Sequence, residues 1–246
     1  MFTVKEREGI RDRIVQMSRE DKRLIAGALI GSTVAGGDEW SDLDLAFGLA
    51  DHAALDDVLA DWKTRLASEF GAVHLMDLPF LSTVYRVFLL PNNLQVDLSF
   101  TPGSEFLARG LKFHQLFGDP RERDQSKPSS AEHLFGLAVV YLLHARACVA
   151  RGRLWEAEYC ISAARDQALS LACQHRGLKT SYGRGFDDLP PETLKQFTRT
   201  LVGSLEKTRL VQALGDCIET LLGNSEDVSE LASRIESQLS ELKSIR

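Results

Sequence analysis

A chain of 246 residues is long enough to bury a real core, as one large domain or two modest ones. Its 44% hydrophobic and 26% charged residues are ordinary for a globular protein, and a net charge of -6 argues against a partner met through a broad basic face, nucleic acid above all. The four cysteines (Cys148, Cys160, Cys173 and Cys217) include no CxxC pair and no histidine at zinc spacing, so reduced thiols in a cytoplasmic protein are expected.

The opening residues, MFTVKEREGIRDRIVQMSRE, are too charged for a secretory signal. Residues 3–22 read as a helix, with Ile10, Ile14 and Met17 recurring at helical spacing among charges. The apolar run Leu24–Ile30 reads as a buried strand, a glycine loop follows, and residues 42–47 alternate as a half-buried strand. Residues 51–70 return to a helical period, with Leu55, Leu59, Trp62 and Leu66 on one face. A short strand is expected over 72–76. Residues 83–90 and 94–100, around Pro91-Asn92-Asn93, read as a hairpin.

After Phe100 the strand signals stop, and Thr101-Pro102-Gly103-Ser104 suggests a break before a short helix near Glu105. The polar stretch 119–130 (DPRERDQSKPSS) reads as a linker. From Ala131 the pattern is helical: 131–151, 154–176, a loop over 178–191, then 192–204, 207–222 and 228–244. The longest apolar run, residues 134–143, is too short to span a bilayer and reads as a buried helix, so no membrane partner is expected. The fold class expected is α+β: a mixed sheet flanked by helices over 1–120, then an all-α helical bundle over 128–246.

The chemistry concentrates in GSTVAGGDEWSDLDL, Gly31 to Leu45. Residues two apart in a strand share a face, so Asp42 and Asp44 project together while Leu43 and Leu45 point into the core. Two carboxylates side by side repel unless a proton or cation lies between them, and magnesium favours one or two carboxylates plus substrate phosphates. Glycines let backbone amides approach an anion, a helix starting at or after Ser32 would add its positive end, and the Ser32 hydroxyl can bond a phosphate oxygen. A third carboxylate is offered by LQVDLSF: Leu94, Val96, Leu98 and Phe100 form the apolar face, and Asp97 lies opposite with Gln95 and Ser99.

A glycine-serine pair, a short spacer, the alternating Asp42 and Asp44, and a distant apolar-flanked Asp97 resemble the DNA polymerase beta-like nucleotidyltransferase superfamily. Within it the chain looks most like the antibiotic nucleotidyltransferases, of aminoglycoside or lincosamide type, which join such a domain to a helical one. The resemblance implies that Gly31 and Ser32 grip the nucleotide phosphates. It also implies that Asp42, Asp44 and Asp97 are the catalytic, metal-binding carboxylates, Asp97 helping to deprotonate the acceptor hydroxyl. Two magnesium ions and ATP or another NTP are the implied cofactor and co-substrate, with a small-molecule acceptor and pyrophosphate as leaving group. The spacer Gly37-Asp38-Glu39-Trp40 departs from the basic or small residues common there.

In the helical half, residues 151–169 look like the second long helix of those relatives, where a basic residue meets the phosphates, and Arg165 is the candidate. A surface arginine paired with Glu158 or Asp166 is the competing reading. Arg184, between glycines in SYGRGFDDLPP, can fold over a triphosphate, or simply belong to a helix connection. Glu132 and Glu156 are candidates for a polycationic acceptor, and none of the six histidines falls in an HExxH set.

The function expected is a nucleotidyltransferase of EC 2.7.7 type, moving AMP onto a hydroxyl of a small molecule such as an antibiotic. Two alternatives stand beside it: nucleotidylation of a protein or nucleic-acid end, and a non-catalytic, antitoxin-like nucleotide-binding protein. Relatives include dimers with a shared cleft, so a homodimer stays open.

Overall fold

A computed structural model describes residues 2–107, 113–119 and 129–243, with the backbone alone described at positions 33 and 35. The chain divides into two compact units, Met1–Ser126 and Lys127–Arg246. The expected linker falls mostly on 120–128, outside the described residues.

Helix α1 (Val4–Glu20) starts at a capping box in which Thr3 and Glu6 satisfy each other's amides. Strand β1 (Leu24–Ile30) follows, then a 3-10 turn over Gly31–Ala35. Strand β2 (Leu43–Leu49), helix α2 (Leu55–Phe70) and strands β3 (Val73–Phe80), β4 (Thr83–Leu89), β5 (Gln95–Pro102) and β6 (Phe113–Phe117) complete the unit. They form one mixed sheet in the order β3-β4-β5-β2-β1-β6, in which β2 and β5 are parallel.

Alternation decides which face is covered. Leu43, Leu45, Phe47 and Leu49 of β2 join Val96, Leu98 and Phe100 of β5 in one cluster with Ile14 and Met17 of α1 and Val58, Trp62 and Leu66 of α2. Phe47, Trp62 and Phe100 sit with ring centroids 5.4–5.9 Å apart at the centre of this layer. The Trp62 indole donates to Asp21 at 3.1 Å, and Asp21 also takes the guanidinium of Arg23 at 2.8 Å, closing the end of α1 onto β1 and α2. Arg86 of β4 clamps both oxygens of Asp77 at 2.6 Å and donates to the Leu59 carbonyl, tying β3 and β4 to α2.

Three expectations need correction. β5 runs on to Pro102, followed by a 3-10 turn Gly103–Glu105 in place of a helix near Glu105. The chain then returns as β6, which pairs antiparallel with β1 and is braced by Arg19, donating to the Leu116 carbonyl at 2.8 Å. And β3 extends past residue 76 to Phe80 through Pro79, which the sheet tolerates because β3 is its edge.

In the second unit α3 (Ala131–Ala150) and α4 (Leu154–His175) fold back on each other and enclose a core with α6 (Lys207–Leu222). Two 3-10 turns, Ser181–Gly183 and Phe186–Asp188, lead to α5 (Pro191–Thr198), and α7 (Ser229–Leu242) closes the unit. The run 134–143 lies within α3, which at 20 residues is by length and composition alone long and apolar enough to cross a bilayer. Its length therefore does not exclude a span. In this fold Leu134, Phe135, Ala138, Leu142, Ala145 and Val149 supply the helical core.

Candidate active site

The site grows from the point where β1 hands over to β2. Ile30, the last residue of β1, lies opposite Asp44. Gly31 then turns the chain at φ +75°, and a Cβ there would stand 2.2 Å from Asp44 Oδ2. Glycine is needed twice at this position, for its backbone angle and because the Asp44 carboxylate occupies the space of a side chain. The helix expected from Ser32 is a five-residue 3-10 turn, ended by Gly36-Gly37 and too short to present a helix dipole.

Asp42 immediately precedes β2, and Asp44 lies within it, directly opposite Asp97 of β5. Asp42, Asp44 and Asp97 each offer an oxygen, and these oxygens lie within 4.8 Å of one another, on side chains that are all half-buried. Burial pushes the Asp97 carboxyl above the usual carboxylate range, and the nearby Asp42 pushes the same way. Gln95 opposes this: its amide donates to both Asp97 oxygens, at 3.1 and 3.0 Å. Among the described residues the buried Ser32 hydroxyl has no hydrogen-bond partner. Converging hard oxygen donors beside an unsatisfied hydroxyl fit a divalent cation of the magnesium type carried in by an anionic oxygen ligand.

The acidic spacer has a local purpose. Asp38 accepts from Ser41 Oγ at 2.8 Å and from the Trp40 amide at 3.0 Å, and these bonds, the hydroxyl first, hold its carboxyl below the usual range. Its charge is used to fold the loop, and Trp40 is left exposed. Underneath lies Arg7 of α1, only 2% exposed. Its guanidinium donates to the backbone carbonyls of Gly36 (3.0 Å), Ser41 (3.2 Å) and Asp38.

Arg7 and Gln95 were missing from the residues singled out by sequence, though each left a trace. Arg7 continues the stripe Ile10, Ile14, Met17 at helical spacing, a charge on an apolar face. Gln95 shares a face with Asp97 two residues on. Arg165 and Arg184 belong to the helical unit. Arg165 of α4 lies 3.6 Å from Asp166, while exposed Arg184 rests over the ring of Tyr182, 5.6 Å from its centroid. Glu156 pairs with Arg153 at 3.1 Å.

No protein-family profile matches the chain, and no curated protein matches it. Among solved structures it is similar to an aminoglycoside 6-adenyltransferase from Bacillus subtilis, at 13% identity and a TM-score of 0.41, over 98% of this chain and 99% of that one. The likeness is loose, and no residue's role is taken from it.

Proposed function

We propose that the protein is a magnesium-dependent nucleotidyltransferase that moves a nucleoside monophosphate, AMP from ATP, onto a hydroxyl of a small molecule, with an aminoglycoside or lincosamide as the acceptor. The observation that carries this reading is the meeting of Asp42, Asp44 and Asp97 across two parallel neighbouring strands, beside Gly31 and a Ser32 hydroxyl with no partner among the described residues.

In this reading the loop from Gly31 receives the triphosphate, Ser32 Oγ donating to a phosphate oxygen. Asp42, Asp44 and Asp97 would hold the magnesium that accompanies the nucleotide. When bound, it supplies neutralisation of phosphate charge and of the carboxylates' mutual repulsion. Asp97, held by Gln95, takes the proton of the acceptor hydroxyl. The hydroxyl oxygen forms a bond to the α-phosphorus as the bond to the bridging oxygen breaks, and pyrophosphate leaves with that electron pair. Most of the acceleration comes from positioning and charge. Residues 1–120 act as the catalytic domain. Residues 128–246, which carry Arg165 and Arg184, form the second, helical domain of the proposed enzyme. Four buried free thiols suit a reducing cytoplasm.

The test is pyrophosphate release from MgATP across a panel of aminoglycosides and lincosamides, comparing wild type with Asp44→Asn. Release with at least one acceptor, reduced by about a thousandfold in the variant, is expected. Tight MgATP binding without release for any acceptor would identify a nucleotide-binding module instead.

A further inference from the structure

Among the described residues the sheet unit buries two arginines, Arg7 and Arg86, and handles them differently. Arg86 is paired with Asp77, and half-buried Arg23 with Asp21 and Asp61. Arg7 makes no ion pair among the described residues. All three of its hydrogen bonds go to main-chain carbonyls between Gly36 and Ser41. A planar fork of donors reaching several carbonyls at once is something guanidinium does and ammonium cannot.

That arrangement has a consequence for the other side of the loop. A trans peptide points its carbonyl and its N–H in opposite directions, and the described chain contains no cis peptide. With the carbonyls of Gly36, Asp38 and Ser41 drawn toward Arg7, the amides of Gly37, Glu39 and Asp42 face away from it. The loop that joins Ser32 to Asp42 is thereby pinned from one side, with these amides left on the other. Gly37 completes the joint: at φ +58° it lies so close that a Cβ would stand 3.0 Å from Arg7 Nη2 and 3.1 Å from Ser41 Cβ.

We infer that Arg7 is a positioning residue for the triphosphate: from beneath the loop it fixes the backbone whose amides meet the phosphates, without touching the nucleotide. This rests on the nucleotidyltransferase reading. It adds a fixed positive charge under the loop and assigns α1 a part in substrate binding.

The experiment measures MgATP affinity by titration calorimetry, well below the melting temperature, for wild type, Arg7→Gln, Arg7→Lys and Gly37→Ala. Mn2+ affinity without nucleotide, which reads the three carboxylates alone, is measured beside it. Weakening of MgATP binding by about tenfold in all three variants is expected, with Mn2+ affinity within about twofold of wild type. Lysine should fail like glutamine, because what is lost is the fork. If the Arg7 variants do not fold, Gly37→Ala alone decides. A folded variant with MgATP affinity within about threefold of wild type, or one losing Mn2+ affinity to the same degree, overturns the inference. A wild type that binds no MgATP overturns the functional reading as well, a result distinct from either.

Discussion

The two units bury polarity on opposite terms. Among the described residues of the helical unit the buried polar side chains are Ser170, Thr193, Thr200, Thr220, Asn224 and Ser225, all neutral. Several bond back to a carbonyl of their own or the preceding turn, as Thr220 does to Asp216 at 2.8 Å and Ser225 to Leu222 at 2.7 Å. The sheet unit buries Arg7, Asp21 and Arg86 and half-buries three converging acids. Enclosing charge is costly, and a fold that only needed stability would build both units like the helical one. Asp21 and Arg86 use their charge to tie helices to the sheet, and the three converging acids mark the proposed site.

The largest effect should come from cutting the apolar side of this contrast. Phe135 is fully buried in the helical core, and Phe135→Ala should cost about 3–5 kcal/mol in denaturant unfolding. A loss under about 1 kcal/mol would mean that the core does not depend on α3. Next is the glycine that makes room for charge. Gly31→Ala should displace the Asp44 carboxylate and lower kcat/KM about a hundredfold. Turnover near wild type would show that the carboxylate does not need its present place.

The ion pair of buried Asp21 with half-buried Arg23 comes third. Burial pushes Asp21 up, but Arg23 and the Trp62 indole pull its carboxyl below the usual range. A carboxyl lowered in the folded state contributes stability above its unfolded pKa of about 3.9 and loses it as pH falls through the folded value. Asp21→Asn should cost about 2 kcal/mol at pH 7, and its melting temperature should fall less than that of wild type as the pH is lowered below about 4. A parallel fall in both proteins would assign the acid sensitivity to other groups.

The smallest effect is a gain. Asp97 is raised by burial, so its charged form burdens the metal-free fold at neutral pH, and this burden lifts as acid protonates it. Asp97→Asn should be inactive, yet melt about 1–3 °C higher than wild type at pH 7 without metal, the difference vanishing below about pH 4. An unchanged or lower melting temperature would show that Gln95 already offsets the burial.

Much of this was legible in one dimension. β1 and α6 fall at the limits their apolar patterns set, and alternation in LQVDLSF placed Asp97 on the uncovered face beside Gln95. The failures have physical causes. β6 is five residues long and pairs with a strand some eighty residues earlier, so nothing local marks it. Pro79 reads as a stop to β3 unless that strand is known to be an edge. Gly36-Gly37 leaves too little chain after Ser32 for a true helix. Arg7 binds carbonyls, which every residue carries, so no partner side chain in the sequence points back to it.

The parallel pairing of β2 with β5 carries one last consequence. Asp44 faces Asp97 because Leu43, Leu45, Val96 and Leu98 are all interior, and a shift of either strand by one residue would turn that whole apolar set outward. A copy of the chain with its acids out of line would also lack its greasy layer. Misassembled molecules should therefore unravel and be cleared, leaving few that persist as intact but inert protein.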